Sequence, residues 1–281
     1  MAGRRSGPGP VIQETALSST QEAANAPTFT AHNIRLDDGS VTRPEQQDLT
    51  AENGWCLSAR RALSVLFPDG GAGHSIVDLG CLEGGFTVEF ARMGFDSLGL
   101  EVRESNLEAC RYVQERLSLP NLRFVRDDAW NLPRHGVFDV VYCCGLLYHI
   151  ESPVAFVKML ARQARKAVIL NTHFATSEPS ETYALSEMTE SEGVPGRWFA
   201  EYDAETVRTD ADREPLRWAS WSNDRSFWIK REHIFGVLYN AGFDLVWEQM
   251  DWMGGDVANA MERGYYRTHH RGIFVGVRTG L

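Results

Sequence analysis

The chain has 281 residues, 43% of them hydrophobic and 11% aromatic, enough for one large domain or one domain with an elaborated cap. A formal net charge of −10 excludes a general electrostatic grip on nucleic acid and leaves room only for a local basic patch. Five cysteines, without a Cys-x-x-Cys pair and with Cys143 and Cys144 adjacent in an apolar run, read as buried free thiols in a reducing, cytoplasmic compartment. No apolar run approaches membrane-spanning length, and Arg4 and Arg5 are not followed by the apolar core of a secretory signal.

Residues 1–27 are rich in Gly, Pro, Ser, Ala and Gln, a composition that cannot offset ordering entropy and predicts a disordered tail. Residues 28–74 predict a hairpin and a helix. Ile34 and Leu36 alternate with polar residues, and Asp38-Gly39 makes the turn. The helix runs from Trp55 to Phe67 and ends at Pro68-Asp69-Gly70-Gly71. Both pieces are expected to pack over the ligand edge of a main domain, residues 75–281.

From Ser75 strands and helices alternate. Strands are expected at 75–79, 97–101, 122–126, 138–144 and 167–172, with helices at 86–93, 104–117 and from Ser152-Pro153 onward. Such alternation predicts an α/β fold with a parallel sheet and right-handed crossovers. The pattern stops near Phe174 and resumes near Ile229. The stretch of about 174–229 has four Trp, many charges and no clear period, and reads as an inserted cap over the active site. A helix at 230–241, strands at 245–250 and 272–277, and a loop between those strands complete the chain.

Four features fall at matching places along this alternation. The first is Asp78-Leu79-Gly80-Cys81-Leu82-Glu83-Gly84-Gly85, a glycine turn between a buried strand and a helix, which in open α/β sheets faces the ligand. The second is Glu101, about 20 residues on at the next strand end, where a carboxylate can accept both hydroxyls of a ribose. The third is Asp127-Asp128-Ala129, where a carboxylate can accept an adenine amino group and apolar neighbours can meet the ring. The fourth is Cys144 to His149, leaving the fourth strand at the edge where a reactive group would sit. Each also has a plain structural use as a connection, a solvated carboxylate or a polar loop. A dinucleotide dehydrogenase competes for the turn, but Gly80-x-x-x-Gly84 lacks the full Gly-x-Gly-x-x-Gly, and no basic group near it suggests a pyrophosphate.

This order of motifs, with Phe138-Asp139-Val140-Val141 running into Leu146-Leu147-Tyr148-His149, resembles the class I S-adenosylmethionine-dependent methyltransferases. The segment Leu147 to Pro153 is similar to the branch that includes the tRNA wobble-uridine carboxymethyltransferase. The resemblance implies a Rossmann-like, seven-stranded, mostly parallel sheet with an antiparallel last strand. It also implies a cofactor site of Asp78, Gly80, Cys81, Gly84, Glu101, Asp128, Ala129 and Cys144. Asp78 would support the turn near the methionine ammonium, Glu101 would hold the ribose, and Asp128 with Ala129 would meet the adenine. Leu82 stands where the family usually has a glycine. The carboxylated cofactor of the named relative needs a basic partner, which the sequence does not place.

Methyl transfer from a sulfonium to a hydroxyl needs alignment and a base. His149 is the first candidate and His173 the second, although a histidine at either place also serves structurally. Tyr148 packs on the cofactor or orients substrate. Glu248, Asp251 and the acids of the insertion leave a divalent metal such as Mg open, without a recognisable ligand spacing. Six of eight Trp lie beyond residue 190, and several in a charged insertion suggest flat surfaces for an aromatic or sugar ring. The reading is therefore O-methylation of a small or oligomeric polar metabolite, a sugar hydroxyl leading, with no membrane partner and homo-oligomerisation left open. Two alternatives stand beside it. One is an RNA methyl- or carboxymethyltransferase gripping its substrate through Arg263, Arg267, His269, His270 and Arg271. The other is a non-catalytic, cofactor-binding regulator.

Overall fold

The computed structural model of this protein describes residues 26–254 and 257–280. The tail expected over 1–27 therefore lies outside the described residues, apart from its last two positions. The strands Ser75–Leu79 (β1), Asp96–Glu101 (β2), Leu122–Arg126 (β3), Phe138–Cys144 (β4) and Ala164–His173 (β5) form where the sequence is apolar and β-branched. Helices Gly85–Arg92, Glu104–Gln114 and Pro153–Gln163 connect them, and helix Gly54–Leu66 precedes β1. The insertion does have regular structure. Thr189–Ser191 (β6), Val194–Ala200 (β7) and Arg225–Ile229 (β8) make a separate three-stranded antiparallel sheet. The sequence reading missed it because β6 is three residues long and its turn, Glu192-Gly193, puts a glutamate at φ 52°. Helix Arg231–Asn240 leads to Leu245–Gln249 (β9) and Arg271–Val277 (β10). The segment between them, expected as a loop, contains short helices at Val257–Glu262 and Tyr265–Thr268.

The main sheet has the order β3-β2-β1-β4-β5-β10-β9, with β10 antiparallel to both of its neighbours. Strand β1 pairs in parallel with β2 on one side and with β4 on the other. The chain order reverses there, and the strands' carboxyl ends open a crevice. Alternate residues of each strand enter two cores. Val77, Leu79, Val141 and Leu170 pack with Phe156 and Leu160 on one face, while Ile76, Val140, Tyr142 and Ile169 pack with Leu63, Phe86 and Phe90 on the other. Both faces are dry, which is why these strands read as continuous apolar runs rather than alternating ones. Phe90 is fully buried, and truncating it to Ala would cost about 3–5 kcal/mol.

Ser152 precedes helix Pro153–Gln163 as expected, but its side chain makes no capping bond. The Val154 and Ala155 amides donate instead to the Glu192 carboxylate, at 2.8 and 2.9 Å. A negative group at a helix N-terminus is favoured there, so the hairpin of the insertion is fastened to the main domain through that helix end. Trp228, read as a candidate ligand surface, is 2% exposed and stacks on His173 and Phe199. Trp198 packs edge-on against Phe227. Both belong to the packing between the two sheets.

Candidate active site

The glycine turn leaves β1 at Asp78 and Leu79. Gly80 has φ 64°, and Leu82 holds φ 54°, a left-handed conformation that costs a leucine about 1–2 kcal/mol. Leu82 thus takes the shape usually given to a glycine. Its amide donates to Glu101 Oε2 at 2.9 Å, and its carbonyl accepts from the Cys110 thiol at 3.1 Å. The second Glu101 oxygen accepts from the Arg103 amide at 2.9 Å. Burial pushes the Glu101 carboxyl upward, while these amides and the Arg103 charge oppose the shift. Asp78 is more isolated. Burial raises it to about 7, although the Thr87 hydroxyl donates to it at 2.7 Å. Gly84 serves packing: its φ is 81°, and a Cβ there would lie 2.6 Å from the Phe124 ring. It is not among the cavity walls.

A cavity of about 400 Å³ opens at the crevice. It gathers Asp78, Gly80, Cys81, Glu101, Asp128, Ala129 and Cys144, so seven of the eight expected cofactor residues meet in one place. Asp127 and Asp128 divide the work of their loop. Asp127 accepts from Asn131 and pairs with His135. Asp128 caps the turn at Trp130, and Ser222 donates to its other oxygen at 3.1 Å.

Two segments cover this cavity, and sequence reasoning had named neither in detail. The first is the stretch of bends and turns before helix Gly54–Leu66. The Glu83 side chain, fully buried, accepts from the amides of Thr30, Ala31 and His32 and from the Thr30 hydroxyl. His32 Nδ1 in turn accepts from the Gly85 amide at 3.0 Å, and burial lowers that imidazole to about 4. The second is the stretch from Arg217 to Ser222 of the insertion. The Arg103 guanidinium donates to the Leu216 and Ala219 carbonyls and lies over the Trp221 ring. Arg217 reaches Thr30 Oγ1 at 2.9 Å and Glu83 at 3.4 Å, which ties the two covers together. Trp218 and Trp221 therefore line the cofactor-side cavity, where the sequence reading had assigned the insertion's tryptophans to substrate.

His149 also lines the cavity. Both oxygens of Glu201 lie 2.9 Å from its Nδ1, and Glu201 is held by the Ser220 amide and the Ser226 hydroxyl. A carboxylate on Nδ1 keeps the proton there and leaves the lone pair on Nε2, the arrangement of an oriented base. Glu201 comes from the insertion, so no sequence spacing could have paired it with His149. His173 is placed elsewhere. Its Nδ1 lies 3.1 Å from the His270 carbonyl, its ring stacks on Trp228, and burial together with the Arg271 charge lowers it to about 3. A group so depressed is a weak base at neutral pH. Tyr148 packs between the two histidines.

His173 lies instead in a second, shallower cavity with Trp55, Thr182, Tyr183, Tyr265, His269 and Arg271. Trp55 and Arg271 line both cavities and join them. The acids expected for a metal are engaged elsewhere. Glu248 pairs with Arg231 and accepts from Tyr266, and Asp251 pairs with Ser58 and Arg61. Among the described residues no group of three or more His, Cys, Asp or Glu is placed to hold a metal ion. Of the proposed basic surface, His270 is fully buried and Arg271 lines the cavities, while Arg263 and His269 are exposed.

Residues 76–167 match the family model described as a methyltransferase domain. Over 89 residues the chain is 29% identical to the ubiquinone biosynthesis O-methyltransferase of Acinetobacter baylyi, covering 31% of this chain and 37% of that protein. The same enzyme of Psychrobacter cryohalolentis is 34% identical over 89 residues, 31% of this chain and 35% of the relative. The chain thus spans about a third of the length of the curated relatives it matches. Among solved structures, the N-terminal domain of EvdMO1 with SAH bound has a TM-score of 0.58 and 27% identity over 83% of this chain and 82% of that one. The same domain in the presence of SAH and D-fucose has a TM-score of 0.60 and 25% identity over 92% and 93%. Fold, cavity and likenesses together give the domain that contains residues 76–167 the methyltransferase fold. Its cofactor is S-adenosylmethionine. No described helix is long and apolar enough to cross a membrane.

Proposed function

We propose that this chain methylates a hydroxyl of a small polar acceptor, with a sugar hydroxyl the leading class and His149 the general base. The observation that carries the reading is the His149–Glu201 pair opening onto the cavity that holds the expected cofactor residues. Glu101 would accept the ribose hydroxyls, Asp128 with Ala129 would meet the adenine, and Asp78 would face the methionine ammonium. S-adenosylmethionine supplies an activated methyl group, whose transfer to a hydroxyl releases one proton. His149 Nε2 would take that proton, and the buried Glu201 carboxylate would stabilise the imidazolium formed. Arg217 to Ser222 would exclude water from the cofactor side. The ring-walled second cavity and the likeness to the EvdMO1 domain solved in the presence of SAH and D-fucose both favour a sugar over RNA. Against the tRNA-modifying branch stand the burial of His270 and the placement of Arg271 in the cavity walls.

The test is transfer of a labelled methyl group to fractionated metabolites and RNA. Label should enter the polar-metabolite fraction, and His149→Ala should lower kcat by about 10²–10⁴-fold while S-adenosylhomocysteine affinity stays within about twofold. Label confined to RNA would overturn the acceptor class. Cofactor binding with no turnover on any fraction would favour the regulator instead. An unchanged kcat in His149→Ala would remove the base.

A further inference from the structure

We propose that Arg271 is the anchor for an anionic group, a carboxylate or phosphate, on the acceptor, so that the substrate is a hydroxylated ring bearing negative charge. The proposal rests on the methyl-transfer reading and adds what that reading leaves undefined, the charge of the acceptor.

Arg271 begins β10 beside the end of β5, where it pairs in register with His173. Its guanidinium lies 3.9 Å from the centroid of the Trp55 ring and 5.7 Å from that of Tyr148. Nε donates to Asn171 Oδ1 at 2.7 Å, and an Nη stands 3.6 Å from where a Cβ on Gly145 would be. The guanidinium is thus stacked and pinned at one edge, with its fork at the junction of the two cavities.

The remaining walls are what make the charge informative. Its partners among the described residues are neutral: the Asn171 amide oxygen and the Cys144 thiol. None of the seven residues lining the second cavity is acidic, in a chain whose net charge is −10. Of the two histidines lining that cavity, His173 cannot share the cationic role, since burial and the Arg271 charge keep it neutral through the physiological range. Other half-buried or buried arginines here are supplied with acids or carbonyls at their terminal nitrogens, as Arg231 is with Glu248 and Arg197 with the Ser186 and Ser177 carbonyls. A partly desolvated guanidinium without a carboxylate is costly, and its planar fork matches carboxylate and phosphate oxygens. Trp55, Tyr183 and Tyr265 add ring faces for the body of such a ligand.

The same chemistry has a second source, the methionine carboxylate of the cofactor, because Arg271 also lines the first cavity. The experiment separates the two. With the wild-type protein saturated by S-adenosylhomocysteine, calorimetric titration compares probe pairs alike but for a carboxylate, D-glucuronate against D-glucose and 3,4-dihydroxybenzoate against catechol. The acid of each pair should bind about ten-fold or more tightly, with the preference falling as salt rises. Arg271→Met keeps the stem and should abolish the preference, and Arg271→Lys should keep part of it. In parallel, S-adenosylhomocysteine and 5′-methylthioadenosine, which lacks the amino-acid end, are titrated into both variants. Equal binding of acid and neutral probes by the wild type overturns the proposal. So does a loss in Arg271→Met confined to S-adenosylhomocysteine, which would assign the guanidinium to the cofactor. Failure of the wild type to bind S-adenosylhomocysteine at all would instead sink the methyl-transfer reading, a result obtained before any acceptor probe is added.

Discussion

At one end of the cleft, Glu83 and Glu101 are buried carboxylates whose oxygens are taken up by main-chain amides of Thr30, Ala31, His32, Leu82 and Arg103. At the other end, Trp55, Tyr183 and Tyr265 present rings around Arg271. A buried carboxylate holding several amides sets the backbone to one shape, because each amide left unbonded would carry its full desolvation cost. That suits a ligand that never changes. Packed rings tolerate repacking at lower cost, and so suit a ligand that differs between relatives. The contrast also matches the reach of the family model, which covers residues 76–167 and ends before the second cavity's tyrosines.

Four measurements would break or sharpen this contrast. The largest effect is expected for Glu101→Ala, which should weaken S-adenosylhomocysteine binding by about 10–100-fold, in line with charged hydrogen bonds of about 1.5–3 kcal/mol. Calorimetry checks it, and binding like the parent's would remove Glu101 from the site. Next is Glu83→Gln. It should destabilise the protein by about 2–3 kcal/mol through lost charged acceptors, and hydrogen exchange should speed up together at residues 30–32 and 217–222. Faster exchange in only one segment would show that the two covers open separately.

A smaller effect comes from His32. Its folded-state value of about 4 lies below the ordinary 6.5, so the unfolded chain binds more protons between those values. Stability should therefore be fully retained above about pH 6.5 and fall as pH drops toward 4. His173, near 3, acts with the same sign, so His32→Gln should flatten the fall in urea-melt midpoints without removing it. An unchanged slope would mean that His32 is not held neutral. The smallest effect is expected for Tyr183→Ala at the acceptor end, which should leave S-adenosylhomocysteine affinity within about twofold while weakening ring-bearing acceptors by roughly 1 kcal/mol. A ten-fold loss of cofactor affinity there would erase the distinction between the two ends.

Much of the first end was legible in the chain. Strand 122–126 and strand 138–144 fall where the apolar runs place them, and Asp78, Glu101 and Asp128 converge because βα alternation puts successive strand ends on one edge. Gly84 was read as a ligand residue because the sequence shows that a glycine is needed without showing why. The reason, the Phe124 ring against it, comes from β3. The insertion resisted reading because its strands are short and its tryptophans are shared between packing and cavity.

Local pattern alone thus determined the α/β alternation, the glycine turn and the carboxylates at the strand ends, since each depends on residues within one strand or turn. Tertiary structure decided the rest. Glu201 met His149 from 52 positions away, Glu83 drew the stretch at Thr30 over the turn, and Arg271 was left among rings without an acid. These pairings depend on which surfaces the folded sheet brings together, and no period or spacing in the chain encodes that.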